Sequence, residues 1–269
     1  MDSFFPLARS SAKDPIPAGT LDAIHARDLA GVVIEGVFDA DELQRGVEGI
    51  KRSTELSPHS FSPRFEAYSY GEILDHSGAD RTLYHNEAAL ITRLVTESFG
   101  EPLVQLLGAS LGALAAPRPL RSPRSASGVA YAPFTVRSYP EGGLIPPHCE
   151  LEQLRRDPYA DPLPQIRADT LLSFLVMVSA PEDGGDLVGY DLDQGDPRVP
   201  EVYSDRSVLH SIRNGFAHER IALCTGDLLV FDAGRHFHQI LPVVGSRARW
   251  TLGGFMAPSR DRSEWFSWS

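Results

Sequence analysis

The chain has 269 residues, 42% of them hydrophobic, and a formal charge of −11. That length can bury one sizeable core, while the acidic balance argues against a nucleic-acid-binding face, which needs a basic surface for phosphate. Two cysteines, Cys149 and Cys224, are too few for a disulfide framework, so a reducing cytoplasm is the expected setting.

The opening Met-Asp-Ser-Phe-Phe-Pro carries an acid at position 2 and no long apolar run, so it does not read as a secretory signal. Residues 31–38 (GVVIEGVF) are rich in β-branched side chains and predict a short strand. Asp39 with Glu42 three residues on is a capping-box pattern, predicting a helix to about Arg52. Residues 53–85 are rich in Ser, Pro, His and Tyr without a sustained period and predict a long loop. Asn86 is placed to cap a second helix with Leu90, Ile91, Leu94, Val95 and Phe99 on one face, ended by Gly100. A third helix is expected over 103–114.

Residues 116–127 (APRPLRSPRSAS) read as a surface loop. They divide an N-terminal helical support region, 1–127, from a strand-rich core, 128–269, the two forming one structural domain. Strands are predicted over 129–139, 170–180, 186–191, 227–232, 237–243 and 247–256, and such spacing with Gly/Pro turns indicates a sandwich or barrel. The longest apolar run, near 171–180, is about half a membrane span, so no membrane partner is expected. The aromatic tail Trp265-Phe-Ser-Trp268 would be costly to expose and is expected either to pack on the core, the preferred reading, or to meet another subunit. Oligomeric state is not legible.

His148-Cys149-Glu150, with His238 ninety residues later, is the chemically informative set. Gly-Gly and Pro-Pro pairs before His148 break regular structure, so the ligands are expected on a turn at a strand end. In an extended segment residues i and i+2 point the same way. His148 and Glu150 can therefore face one ion while Cys149 points elsewhere. Two imidazoles and one carboxylate form the 2-His-1-carboxylate triad of non-haem Fe(II) sites. His236 competes with His238, being on the same side of the strand. His238 is preferred because Arg247, on the next strand, then falls beside it across a hairpin. Arg247 is the expected anchor for the far carboxylate of a 2-oxo acid. His210 and His218 read as solvated loop histidines.

The segments His148-Cys-Glu150, Glu182-Asp-Gly-Gly-Asp-Leu-Val, Gly226-Asp-Leu-Leu-Val-Phe and His238-x-x-x-Pro-Val-x-x-x-Arg247 together resemble the 2-oxoglutarate/Fe(II)-dependent oxygenase superfamily, in its prolyl-hydroxylase-like and small-molecule hydroxylase branch, over about residues 128–257. The resemblance implies a mainly β, double-stranded β-helix (jelly-roll, cupin-like) fold with N-terminal helices. It implies Fe(II) held by His148, Glu150 and His238, with 2-oxoglutarate as co-substrate and dioxygen as oxidant. Arg247 would pair with the 5-carboxylate through a planar fork, with Thr251 adding a hydroxyl. Arg249, Arg137 and Tyr139 are further candidates for co-substrate or substrate. Most of the superfamily uses Asp where Glu150 stands. In related halogenases Gly or Ala leaves a site for chloride there, so Glu150 argues against halogenation.

The expected reaction is hydroxylation of an unactivated C–H of a small molecule, an amino acid or natural-product intermediate, with release of succinate and CO2. Desaturation, epimerisation or ring closure would use the same cofactors. A cupin-like isomerase or dioxygenase without 2-oxoglutarate and a non-catalytic binding module are the readings of other classes. Residues 151–168 are long for a strand connection and read as a lid. Arg155, Arg156 and Arg167 there, with Arg118, Arg121 and Arg124, are candidates to meet an anionic substrate, each also explicable as a solvated charge. Val202 and Tyr203 are candidates for pocket lining.

Overall fold

The computed structural model describes residues 3–61, 65–77, 81–160, 165–199, 212 and 215–269; Val202, Tyr203 and His210 lie outside them. The elements in the N-terminal half are β1 (Leu7–Ser11), α1 (Thr20–Ala26), β2 (Gly31–Glu35), α2 (Ala40–Arg52), β3 (His59–Ser60), β4 (Tyr68–Tyr70), α3 (Thr82–Phe99), α4 (Glu101–Ala115) and β5 (Leu120–Arg121). Strands dominate after that: β6 (Thr135–Tyr139), β7 (Ile145–His148), β8 (Leu172–Ser179), β9 (Asp183–Gly184), β10 (Leu187–Asp193), β11 (His218–Ile221), β12 (Leu228–Phe231), β13 (His236–Ile240), β14 (Val243–Val244), β15 (Arg249–Pro258) and β16 (Trp265–Trp268).

The strands form a large sheet in the order β1-β2-β12-β8-β15-β6-β4-β3, which β16 and β5 extend beside β15, and a smaller sheet in the order β11-β10-β13-β7. A short β14–β9 pair stands apart. The large sheet is covered on both faces, so its strands read as continuous apolar runs rather than as alternating ones. Successive side chains still serve opposite faces. Val32 and Ile34 of β2, Phe174 and Val176 of β8, Leu228 and Val230 of β12 and Trp250 and Leu252 of β15 join the helix-side core. Their neighbours Val33, Leu229 and Phe231 join a second cluster with Leu187 and Ile240 of the smaller sheet.

The helix layer follows its apolar stripes. Asp39 caps α2 by accepting from the Glu42 N–H at 2.9 Å, as its sequence pattern predicts. Leu43, Val47 and Ile50 then face the sheet. Gly46 is the crossing point with α3: a Cβ there would sit 2.0 Å from the Phe99 ring. α3 begins at Thr82, ahead of the expected cap at Asn86, because Tyr84 is drawn into the core. Its hydroxyl donates to the Ser269 carbonyl at 2.6 Å and accepts from the Ala132 N–H at 3.0 Å. The aromatic tail packs as expected. It forms β16 against β15, with Trp265 and Trp268 fully buried.

The sequence reading differs most in the N-terminal half. β1, β2, β3 and β4 all precede residue 127, yet they form both margins of the large sheet. The support region thus lends strands as well as helices. β3, β4 and a 3-10 turn at Leu74–His76 lie in the stretch expected to be loop. None exceeds three residues, too short to leave a period. His218 lies on β11, not in a loop.

Gly226 and Asp227 stitch the start of β12 to the end of β2. Gly226 adopts φ +97° and a Cβ there would lie 2.3 Å from the Phe38 carbonyl oxygen. The buried Asp227 accepts from the Gly36 N–H at 2.9 Å and the Cys224 N–H at 2.8 Å. Asp227→Ala orphans both donors and is expected to destabilise the protein by about 2 kcal/mol. Urea denaturation monitored by tryptophan fluorescence would measure it, and a midpoint equal to wild type would contradict this account.

Candidate metal and co-substrate site

The pairing of β7 with β13 builds the site. These strands are antiparallel with His238 directly opposite His148, and the two rings come to 4.3 Å between centroids. Each Nδ1–H is committed to a backbone carbonyl two residues back, His148 to Pro146 at 2.8 Å and His238 to His236 at 2.9 Å. That bond fixes the tautomer and leaves Nε2 free as the ligating atom.

β7 ends at His148, Cys149 remains extended, and Glu150 opens a 3-10 helix over Glu150–Arg155. The Glu150 N–H is held by the Ala233 carbonyl at 3.0 Å. Glu150 and His148 consequently share a side. Oε1 of Glu150 lies 3.5 Å from Nε2 of His148 and 3.6 Å from Nε2 of His238, and the three ligand atoms all fall within 4.8 Å of one another. Cys149 points away, its thiol donating to the Gly234 carbonyl at 2.6 Å.

The protonation states suit a cation. Burial opposes ionisation of Glu150, but the two imidazoles beside it outweigh burial and hold the carboxyl at about 2. Burial, helped by the charge of His148, pushes His238 below the ordinary imidazole value. An ionised carboxylate and a neutral imidazole are the forms a divalent ion binds.

A cavity opens between the two sheets at this point. His148, Glu150 and His238 line it together with Arg137 and Tyr139 of β6 and Arg249 and Thr251 of β15. Arg249 is 1% exposed, and its Nε and Nη2 have no hydrogen-bond partner among the described residues. Its guanidinium stacks over Tyr139 at 5.1 Å, and burial pushes its pKa down. An unmatched buried cation is costly, and a carboxylate entering the cavity would relieve it. Arg137 also has an unpartnered buried Nε, with its guanidinium 5.5 Å from the Phe61 ring and 5.7 Å from that of Phe255.

Arg247 does not reach this cavity, which corrects the sequence expectation. It is exposed and donates to the Pro181 carbonyl at 3.1 Å. The hairpin after β13 is longer than supposed. Regular pairing on β15 starts only at Arg249, opposite Tyr139, so Arg247 remains on the turn. Arg247 and Arg249 have the same strand parity, so alternation in the sequence could not separate them.

His236 is buried and lies outside the cavity. Its Nδ1 is 2.9 Å from Asp193, and its ring packs on Phe5 at 4.7 Å. Most of the candidate substrate arginines are engaged locally: Arg118 with Asp22, Arg121 with Glu264, Arg156 with Asp75 and Arg167 with Asp169. Two residues the sequence reading passed over touch the site. Gln153 donates to Glu150 Oε2 at 3.2 Å, and Tyr159 donates to Gln153 Oε1 at 3.1 Å. The only sequence signal for Gln153 is its i+3 spacing from Glu150, which matters only once the segment is known to be 3-10 helical.

A facial His/Glu/His set with a buried, unmatched guanidinium in one cavity is the equipment of an Fe(II)/2-oxoglutarate-dependent oxygenase, and the protein is an enzyme of that class. Within it, the chain belongs to the family described as carrier-protein-independent halogenase WelO5, whose profile matches residues 7–269. Among curated proteins nothing matches.

Solved structures share the fold. An N-substituted L-amino acid dioxygenase from Burkholderia ambifaria, in complex with alpha-ketoglutarate, superposes with a TM-score of 0.60 at 15% identity over 93% of this chain and 90% of that one. The alpha-ketoglutarate-dependent epimerase SnoN from nogalamycin biosynthesis gives 0.51 at 14% identity over 89% and 85%. HygX from Streptomyces hygroscopicus, solved with nickel, 2-oxoglutarate and hygromycin B, gives 0.50 at 16% identity over 87% and 86%. The cofactors of the enzyme are Fe(II) and 2-oxoglutarate, with dioxygen as oxidant, and the donor set and orphaned guanidinium fit them.

Cys149 is a test of how closed the site is. Burial pushes its thiol up to about 12, whereas Cys224 is exposed. Thiolate is the reactive form. Iodoacetamide at pH 8 is therefore expected to label Cys224 and spare Cys149 in the folded protein, read by peptide mass spectrometry. Equal labelling of both would show that the site breathes open.

Proposed function

We propose that the protein hydroxylates an unactivated C–H of a small molecule, an amino acid or a natural-product intermediate, releasing succinate and CO2. We further propose that it does so on a double-stranded β-helix, in the cytoplasm, without nucleic-acid or membrane partners. Among the described residues no helix is long and apolar enough to cross a membrane.

Glu150 carries this reading. In related halogenases Gly or Ala stands at the corresponding position and leaves a site for chloride. Here the carboxylate fills that corner, with Oε1 turned to both imidazoles. An anion already sits where a halide would have to bind. Bound iron and 2-oxoglutarate would supply the oxidising power for the C–H bond.

The residues then divide the work. His148, Glu150 and His238 would hold the ion. Arg249 anchors the 5-carboxylate of 2-oxoglutarate by a charge-assisted pair, in the place the sequence reading gave to Arg247. Thr251, 3% exposed, stands two residues along the same strand and adds a hydroxyl. Arg137 and Tyr139 line the same cavity and orient the co-substrate or an acidic group of the substrate.

Arg249→Gln is expected to weaken 2-oxoglutarate binding about 100-fold, since it removes one partner of a buried charge pair. Arg247→Ala should change it by less than about twofold, as exposed charges do. Titration of the Fe(II) form by isothermal calorimetry compares the two, and equal losses would remove Arg249 from the role. The reaction class is tested by screening amino acids and their derivatives with Fe(II), ascorbate and 2-oxoglutarate in chloride buffer. Succinate should form in step with a product 16 mass units heavier, and a chlorinated product from the wild-type enzyme would overturn the hydroxylase reading.

A further inference from the structure

We propose that Gln153, locked by Tyr159, is a positioning residue that restricts Glu150 to one ligating oxygen and so keeps a position on the ion open for dioxygen. This inference rests on the assignment of His148, Glu150 and His238 as iron ligands.

The two oxygens of Glu150 have different surroundings. Oε1 is the one turned to His148 and His238, at 3.5 and 3.6 Å. Oε2 accepts the Gln153 amide N–H at 3.2 Å. The backbone makes this contact local: in a 3-10 helix residues i and i+3 eclipse, and Glu150–Arg155 is such a helix. The amide cannot turn over without loss. Its Oε1 accepts the Tyr159 hydroxyl at 3.1 Å, and Tyr159 is fully buried. Desolvation and nearby Asp75 and Glu150 raise its pKa well above the usual phenol value, so it stays a donor. With one donor fixed from Tyr159, only the NH2 end of Gln153 can face the carboxylate.

The need for such a restraint follows from the ligand itself. Glutamate has one more methylene than aspartate and can swing both oxygens onto an ion. An octahedral ion has six positions. The protein triad would take three and a chelating 2-oxo acid two, which would leave one. A carboxylate ligating through both oxygens would take it. Removing the amide leaves Oε2 buried without a donor, an unfavourable state that is relieved by turning toward the ion.

Nitric oxide, added anaerobically to the Fe(II)/2-oxoglutarate form, is the probe. Gln153→Leu is expected to bind it about tenfold more weakly than wild type, the scale of outer-shell effects. Iron content and the 2-oxoglutarate charge-transfer absorbance should be unchanged. Tyr159→Phe should shift the affinity the same way and less. Under turnover, Gln153→Leu should raise the KM for dioxygen and leave kcat at saturating dioxygen nearly unchanged, a split that a purely structural role would not produce. Gln153 is only half-buried, so its replacement spares the core, and circular dichroism verifies folding. Unaltered nitric oxide affinity in both variants, with iron and 2-oxoglutarate bound, overturns the proposal. So does loss of iron from a folded Gln153→Leu, which would make the amide a support for metal retention. A wild type that takes up neither iron nor 2-oxoglutarate would instead defeat the underlying assignment.

Discussion

The register between β7 and β13 is the constraint on which the chemistry depends. His148 and His238 face each other across one antiparallel pair. A slip of one residue would turn one ring to the opposite face of the smaller sheet. The register is held from several directions. β13 also pairs with β10, where Gly189 lies opposite His238. Phe231 of the large sheet packs edge-on against the His238 ring at 5.0 Å. On the far side of β7, Glu150 is tied by its own N–H to Ala233, in the connection between β12 and β13. The ligands from both ends of the polypeptide interval are thus fixed to the same two-strand frame.

That frame explains which parts of the site were legible in the sequence. The spacing in His148-Cys-Glu150 is a statement about extended backbone, and the chain is extended there. His238 was separable from His236 only by an argument from the following hairpin. His238 does meet its partners, yet the arginine offered in its support stays outside the cavity. The reason is physical. Alternation fixes parity along a strand, and Arg247 and Arg249 share it. Where pairing begins depends on hairpin length, which here is set by the small β14–β9 pair with Gly184 and Gly185 at positive φ. Nothing local in Gly245-Ser-Arg-Ala-Arg marks that boundary. The short strands β3 and β4 were hidden for another reason. A two- or three-residue strand at a sheet margin draws its stability from the neighbour it extends, not from its own pattern. The helices and the long central strand, whose apolar content is dense, were the easy part.

Family membership rests on nearly the whole chain, whereas the proposed reaction rests on one corner of the site. The profile spans residues 7–269, and His148, Glu150 and His238 are three residues of that span. Function resides in such sites rather than in the fold that carries them. Glu150 is also accommodated here by more than its own side chain. Both histidines and Gln153 each have a contact with its carboxylate that a Gly at this position could not make.

The charge distribution gives the site its direction. Glu150 is an anion beside two imidazoles, whereas Arg249 is a buried cation whose Nε and Nη2 have no hydrogen-bond partner among the described residues, and burial outweighs the support that Tyr139 and Asp186 give its charge. The protein alone is therefore balanced at one end of the cavity and unbalanced at the other. A divalent ion at the triad and a dianionic keto acid reaching toward Arg249 would satisfy both ends together. Either bound alone would leave a buried charge exposed to the low-dielectric interior. Binding of the ion and of the co-substrate should accordingly be coupled through the electrostatics of one narrow cavity, with no conformational change needed to link them. The unpartnered nitrogens of Arg249 are then less a flaw of the folded chain than the half of an interaction that only the co-substrate completes.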